Sequence, residues 1–122
     1  MNPIRNVLVA VREASDARIA LEKATRLIRA CSERGSPARL HVVRVIYEGI
    51  ADLGAAAIDG SAGLKSFMLE AGETLLEELV EPVRGRGIEL ETVTLWNPRS
   101  WAGVLHAAER VEADVVMQAV AI

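Results

Sequence analysis

Apolar residues occur along the chain either in short continuous runs or at helical spacing. The runs at residues 4–11, 39–46 and 115–117 are brief and rich in valine, as expected of strands buried on both faces of a parallel sheet. Between the first two runs, apolar residues recur every three or four positions and predict one face of an amphipathic helix. They are Ala17, Ala20, Leu21, Ala24, Leu27, Ile28 and Cys31. The pattern therefore predicts a right-handed strand–helix–strand unit.

The second half of the chain predicts two further helices and an edge strand. From residue 64 the helical spacing returns, with a predicted buried stripe of Phe67, Met68, Ala71, Leu75, Leu79 and Val83. The segment "ELETVTLW", Glu89–Trp96, alternates apolar and polar residues, which indicates a strand with one wet face at the sheet edge. A third helix follows Asn97, with a predicted buried stripe of Trp101, Val104, Leu105, Ala108 and Val111.

Four strands and three helices in this order predict an α/β fold with a doubly wound parallel sheet. A chain of 122 residues has room for one hydrophobic core, so we expect one domain over residues 1–122. The glycine- and alanine-rich stretch at residues 47–63 is predicted to be a long, flexible crossover. Connections of that length in a small domain are often functional or disordered.

Composition excludes several classes of protein. The net charge is −3 and the 14 basic residues are scattered, which argues against a nucleic-acid partner. The apolar runs are too short for a secretory signal or a membrane span. Cys31 is the only cysteine, and its apolar helical position favours a small buried hydrophobe over a reactive thiol. We therefore expect a cytoplasmic protein without membrane contact.

No catalytic motif stands out. The sequence contains neither G-x-G-x-x-G nor G-x-S-x-G, and it has no flavodoxin-like phosphate loop after the first strand. The third strand ends in Trp96 and Asn97 rather than in a phosphorylatable aspartate. His41 and His106 lack ligand spacing to other metal-binding residues, so we expect a packed strand histidine and a solvated helix histidine. We predict no enzyme activity and no metal site.

The carboxyl ends of the strands are the predicted binding region, because doubly wound sheets bind ligands where the strand order reverses. Arg12 is suited to a small anionic ligand, although an ion pair with Glu13 or Glu48 is the simpler interpretation. The two tryptophans predict an apolar wall, or else packing over the long crossover. The candidate ligand-binding residues are Val11, Arg12, Glu13, Val45, Trp96, Asn97, Trp101, Met117 and Gln118.

Three segments together resemble the universal stress protein family. They are "NVLVAVREASDARIALEKATRLIRA", "ARLHVVRVIYE" and "GIELETVTLWNPRSWAGVLHAAERVEADVVMQ", and they span nearly the whole chain in the family's order. "IYE" and "VTLWNPRSWAGVL" resemble one half of a tandem universal stress protein more closely. The resemblance implies the adenine nucleotide alpha hydrolase-like fold, with four strands in the order 3-2-1-4.

The resemblance also implies a function, but this sequence departs from the family's ATP-binding pattern at two positions. Members that bind ATP have an acidic residue after the first strand and a glycine loop after the fourth. Here Arg12 and Gln118 stand at the corresponding places, so we expect a degenerate nucleotide site and no cofactor. The resemblance then implies a non-catalytic ligand-binding or regulatory module in a stress response, taking a small apolar or anionic ligand. The alternative is a protein that binds ATP or AMP with magnesium and has weak nucleotidase activity.

The end of the sequence predicts a partner. In the family, a glycine loop and a fifth strand would follow Ile122, so the strand at Asp114–Ile122 is expected to have an unpaired outer edge. An apolar open edge is a template for pairing with another strand. We predict a homodimer or pairing with a second universal-stress-like half through this edge. A third alternative is an assembly module with no other role.

Overall fold

The computed structural model describes residues 3–12, 14–46, 61–97 and 99–118. Most of the predicted crossover, at residues 47–60, lies outside the described residues, as do Glu13 and residues 119–122. None of the described helices is both long enough and apolar enough to span a bilayer.

Strands and helices alternate along the chain. They are β1 (Asn6–Ala10), α1 (Ala14–Glu33), β2 (Arg39–Ile46), α2 (Ser61–Arg84), β3 (Leu90–Trp96), α3 (Ser100–Arg110) and β4 (Val115–Gln118). The strands form one parallel sheet in the order β3-β2-β1-β4. This confirms the predicted fold class, the strand order and the edge position of β3. The chain reverses its direction of travel across the sheet between β1 and β4, so that boundary is the topological switch point.

Two helices cover one face of the sheet with most of the hydrophobic core. Val7, Val9, Leu40 and Val42 are fully buried there and pack with residues of α1 and α2. The α1 stripe predicted from the sequence is confirmed, with Cys31 half-buried at its end. Continuous apolar strands between packed layers are what a parallel sheet requires.

The opposite face has a smaller core under α3. Leu8, Ala10 and Val43 are buried against Ala107 of that helix. Val116 is the register partner of Leu8 and points to this face, because its neighbours on either side pack into the larger core. Its side chain is 48% exposed. The β4 side of this face is therefore less covered than the β2 side.

The predicted buried stripes of α2 and α3 are partly wrong. Phe67 is 68% exposed, and Trp101 and Leu105 are 62% and 56% exposed. In α2 the buried residues Gly72, Leu76 and Val80 each lie one position beyond a predicted one, whereas Val83 is buried as predicted. Glycine lets the helix approach the sheet closely, since an added Cβ at Gly72 would contact Thr94 Cγ2 at 3.0 Å. In α3 the small residues Gly103 and Ala107 likewise pack towards the sheet. The predicted residues Val104, Ala108 and Val111 pack against the same core, whereas Trp101 and Leu105 point away.

Candidate functional site

Arg12 and Gln118 lie at the switch point. Val11 extends the ladder of β1 through its N–H, which donates to Val43 O at 2.9 Å, and the exposed Arg12 follows directly. Gln118 is exposed and is the register partner of Ala10 at the end of β4. Arg12 and Gln118 therefore lie at the carboxyl ends of two neighbouring strands, the region where doubly wound sheets bind ligands.

Asn97 shapes the entry to α3. Its Oδ1 accepts a hydrogen bond from the N–H of Arg99 at 2.9 Å, and Arg99 is the N-cap residue without a side-chain cap of its own. Asparagine commonly stabilises a turn in this way, by bonding the backbone two residues ahead. The Asn97 side chain thus orders the loop between β3 and α3 from a position two residues before the N-cap residue.

Val45 contacts the backbone of α3. A Cβ added at Gly103 would lie 2.7 Å from Val45 Cγ2 and 2.9 Å from its Cγ1, which is closer than non-bonded carbons approach. Val45 therefore supports α3, and little of its side chain remains for a ligand. The close approach fixes the first turn of α3 against the end of β2.

The two tryptophans are placed on different faces. Trp96 follows Thr92 and Thr94 at alternating positions of β3, and both threonines face α2. Trp101 projects from α3, which covers the other face. Met117 packs into the core on the side of α1 and α2, as does Val11. The candidate residues thus divide between the two faces. Arg12, Trp101 and Gln118 are exposed, and Asn97 is half-buried.

Asp114, which the sequence reasoning did not single out, joins β1 to β4 at their amino ends. One oxygen, Oδ2, accepts from the N–H groups of Arg5 at 2.8 Å and Asn6 at 3.0 Å, and the Asp114 N–H donates to Asn6 O at 2.8 Å. These backbone donors lower the pKa of Asp114, because they stabilise the charged form. An aspartate directly before a predicted strand was the available signal.

His41 is buried near the same end of the sheet, at 6% exposure. Its Nε2 lies 3.0 Å from Asn6 Oδ1. Its Nδ1 has no hydrogen-bond partner and lies 3.7 Å from a carboxylate oxygen of Glu91. Burial lowers the pKa of His41, with Glu91 opposing the shift and Arg39 adding to it. The predicted packed strand histidine is confirmed, and His106 is exposed as expected.

Glu77 connects α2 to the edge strand. Its Oε1 accepts from the Thr92 hydroxyl at 3.0 Å, and its Oε2 is ion-paired with Arg84. The hydrogen bond from Arg84, and then that from Thr92, lowers the pKa of Glu77. Across the described parts of the chain, no group of three or more histidine, cysteine, aspartate or glutamate residues has the geometry to hold a metal ion.

Comparison with known proteins gives matches only at the level of structure. The sequence matches no protein-family profile and no curated protein. A protein from the universal stress protein family of Burkholderia pseudomallei superposes with a TM-score of 0.70 at 22% identity, over 98% of this chain and 84% of that one. A universal stress protein from Archaeoglobus fulgidus DSM 4304 superposes with a TM-score of 0.58 at 20% identity, over 93% of this chain and 32% of that one.

These matches define the class of fold. The chain is a doubly wound α/β protein whose strand order reverses between β1 and β4. Its fold is that of the universal stress proteins, which confirms the structural part of the resemblance seen in the sequence. The chain spans about a third of the length of the A. fulgidus protein.

Proposed function

We propose that this protein is a non-catalytic, universal-stress-like module that binds a small anionic or apolar ligand at the ends of β1 and β4. The positions of Arg12 after β1 and of Gln118 at the end of the neighbouring β4 carry the proposal. A cation at the end of β1 suits a carboxylate or sulfonate. The general rule that doubly wound sheets bind ligands where the strand order reverses supports this location.

The same two residues argue against ATP. Gln118 is in a strand, in register with Ala10, whereas a phosphate-binding loop needs glycines whose N–H groups can close on phosphate oxygens. A Cβ at residue 118 disfavours the positive φ values that such loops use. Arg12 offers no ligand to magnesium. The described residues thus do not fit a magnesium–nucleotide complex, and in this proposal the site has lost nucleotide binding.

Thermal unfolding with ATP and magnesium tests the proposal. A ligand at 100 times its dissociation constant stabilises by about 2.7 kcal/mol, which raises the melting temperature of a domain of this size by several degrees. We expect no shift of the melting temperature with 5 mM ATP and MgCl₂, a concentration roughly 100 times a dissociation constant of 50 µM. A clear shift would contradict the proposal and favour the alternative of a nucleotide-binding protein with weak nucleotidase activity.

An anionic apolar probe tests the ligand class. We expect 8-anilinonaphthalene-1-sulfonate to bind the folded protein, and Arg12→Ala to raise its dissociation constant about tenfold, the loss typical of a hydrogen bond to a charged group. Arg29→Ala is the matched control, because Arg29 is exposed on α1 away from the strand ends. Equal affinities in the wild type and in the Arg12 variant would refute the assignment of the site.

Assembly through the outer edge of β4 is a second candidate function. The exposed Val116 and the edge position of β4 favour a homodimer, or pairing with a second universal-stress-like half. Sedimentation equilibrium over 1–100 µM, together with a Val116→Lys variant, tests this proposal. A monodisperse monomer throughout would eliminate it. We also propose a cytoplasmic location for the protein.

A further inference from the structure

A cavity lies between α1 and α2 and contains none of the candidate residues at the strand ends. Its volume is about 300 Å³, at the lower end of the range of small-molecule sites. Leu21, Leu79 and Val83 form its apolar floor. Leu21 and Val83 are only 3% and 7% exposed. The cavity thus has a floor made of core residues and is large enough for a side chain of four or five carbons.

The rim of this cleft carries charges of both signs. Arg18 on α1 and Arg86 after α2 line it together with Glu78, and all three are exposed. Glu22, also on the rim, lies 3.2 Å from Arg26 in an ion pair. In the described part of the chain, by contrast, no ion pair involves Arg18, Arg86 or Glu78. Two guanidinium groups and one carboxylate are therefore available to a ligand.

Proline interrupts the helix in the same wall. Pro82 lies inside α2 and lines the cleft. Because proline has no amide hydrogen, it cannot donate the helical hydrogen bond to the carbonyl oxygen of Glu78, four residues earlier. The exposed carboxylate of Glu78 is the acceptor that this wall presents to a cation, and a carboxylate suits an ammonium group, which has three donors.

We propose that the α1–α2 cleft binds a free apolar α-amino acid of the size of leucine. Arg18 and Arg86 bind the α-carboxylate, Glu78 binds the ammonium group, and the side chain packs on the floor. An anion alone would leave Glu78 unmatched, and an amine alone would leave both arginines unmatched. This site is separate from the strand ends and stands or falls independently of the function proposed for them.

Calorimetric titration with four small molecules tests the chemistry of the ligand. L-Leucine carries every required group, whereas 4-methylpentanoate lacks the ammonium, 3-methylbutylamine lacks the carboxylate, and glycine lacks the side chain. Each missing charged contact is expected to weaken binding about tenfold or more. We expect leucine to bind at least tenfold more tightly than each of the other three. Equal binding of leucine and any one of them would overturn the proposal.

Variants on the rim test the location of the site. Glu78→Gln and Arg86→Ala are both at exposed positions, so each variant should keep the wild-type melting temperature. Each is expected to raise the dissociation constant of leucine about tenfold, whereas Arg29→Ala, on α1 outside the cleft, should leave it unchanged. Leucine binding that is kept in both rim variants, or lost in Arg12→Ala instead, would refute the assignment. The comparison of the four small molecules decides the question even if one variant fails to fold.

Discussion

Gly103 is the residue at which the contact between α3 and β2 can be tested most sharply. An alanine there would place its Cβ at 2.7 and 2.9 Å from the two methyl carbons of Val45. Overpacking of this kind costs about 1–3 kcal/mol, while replacing a helical glycine by alanine gains up to about 1 kcal/mol of helix propensity. We expect Gly103→Ala to lower the free energy of unfolding by about 1–2 kcal/mol.

The Val45→Ala background removes the clash and serves as the control. Both methyl groups that the new Cβ would meet are gone, so Gly103→Ala should there raise the free energy of unfolding by up to about 1 kcal/mol. The two backgrounds should therefore differ by about 2 kcal/mol, within the range of couplings between residues in contact. Urea denaturation of the four proteins measures this difference. An equal effect of Gly103→Ala in both backgrounds would refute the argument that Val45 sets the position of α3.

Three further predictions concern polar groups. The pKa of His41 is lowered in the fold, so the unfolded chain binds more protons than the folded one below the unperturbed value of about 6.5, and the free energy of unfolding should fall as the pH drops below it. In urea titrations from pH 7.5 to 5, the free energy of unfolding should depend less steeply on pH in His41→Gln than in the wild type, whereas His106→Gln should behave like the wild type. The lowered pKa of Asp114 predicts stability that is present at neutral pH and lost as the pH falls through its folded pKa, so Asp114→Asn should lower the melting temperature at pH 7 and much less at pH 2. Thr94 Oγ1 is buried without a hydrogen-bond partner, so Thr94→Val should leave the free energy of unfolding unchanged or raise it by up to about 1 kcal/mol, as measured by urea denaturation.

Each of these predictions can fail separately. An unchanged pH slope in His41→Gln would mean that the burial of the imidazole has no energetic effect. A loss at pH 2 as large as the loss at pH 7 in Asp114→Asn would show that the carboxylate charge is not what the backbone donors stabilise. A large destabilisation by Thr94→Val would indicate that its hydroxyl has a partner, such as a water molecule.

The sequence predicted the architecture because apolar periodicity and strand burial arise from the same physics. The runs around Val7 and Leu40 could be buried only in a sheet covered on both faces. The alternation in β3 correctly indicated an edge strand. Periodicity is less informative about which side of a helix faces the sheet when small residues are involved. The predicted stripes left out Gly72 and Gly103, where the helices approach the sheet closely, and included Phe67, Trp101 and Leu105, which are exposed.

The site was harder to predict because it depends on which face each strand residue occupies. The sequence placed Trp96 and Trp101 near one strand end, but not on opposite sides of the sheet. Hydrogen bonds between distant parts of the chain leave little trace in a single sequence. Asp114 and Arg5 are separated by 109 residues, and nothing local to either one indicates that they meet. The cleft between α1 and α2 was also missed, because the two helix segments that line it are far apart in the sequence.

The hydrogen bonds of Asp114 have a consequence for how such a protein can diverge. They attach β4 to β1 at one end of the sheet, while Arg12 and Gln118 occupy the other end and are exposed. Exposed substitutions far from such attachments seldom change stability by more than about 0.5 kcal/mol. Substitutions at the proposed ligand site are therefore expected to have a smaller effect on folding than substitutions at Asp114. In this architecture one rim of the sheet preserves the shape, and the other is open to new specificity.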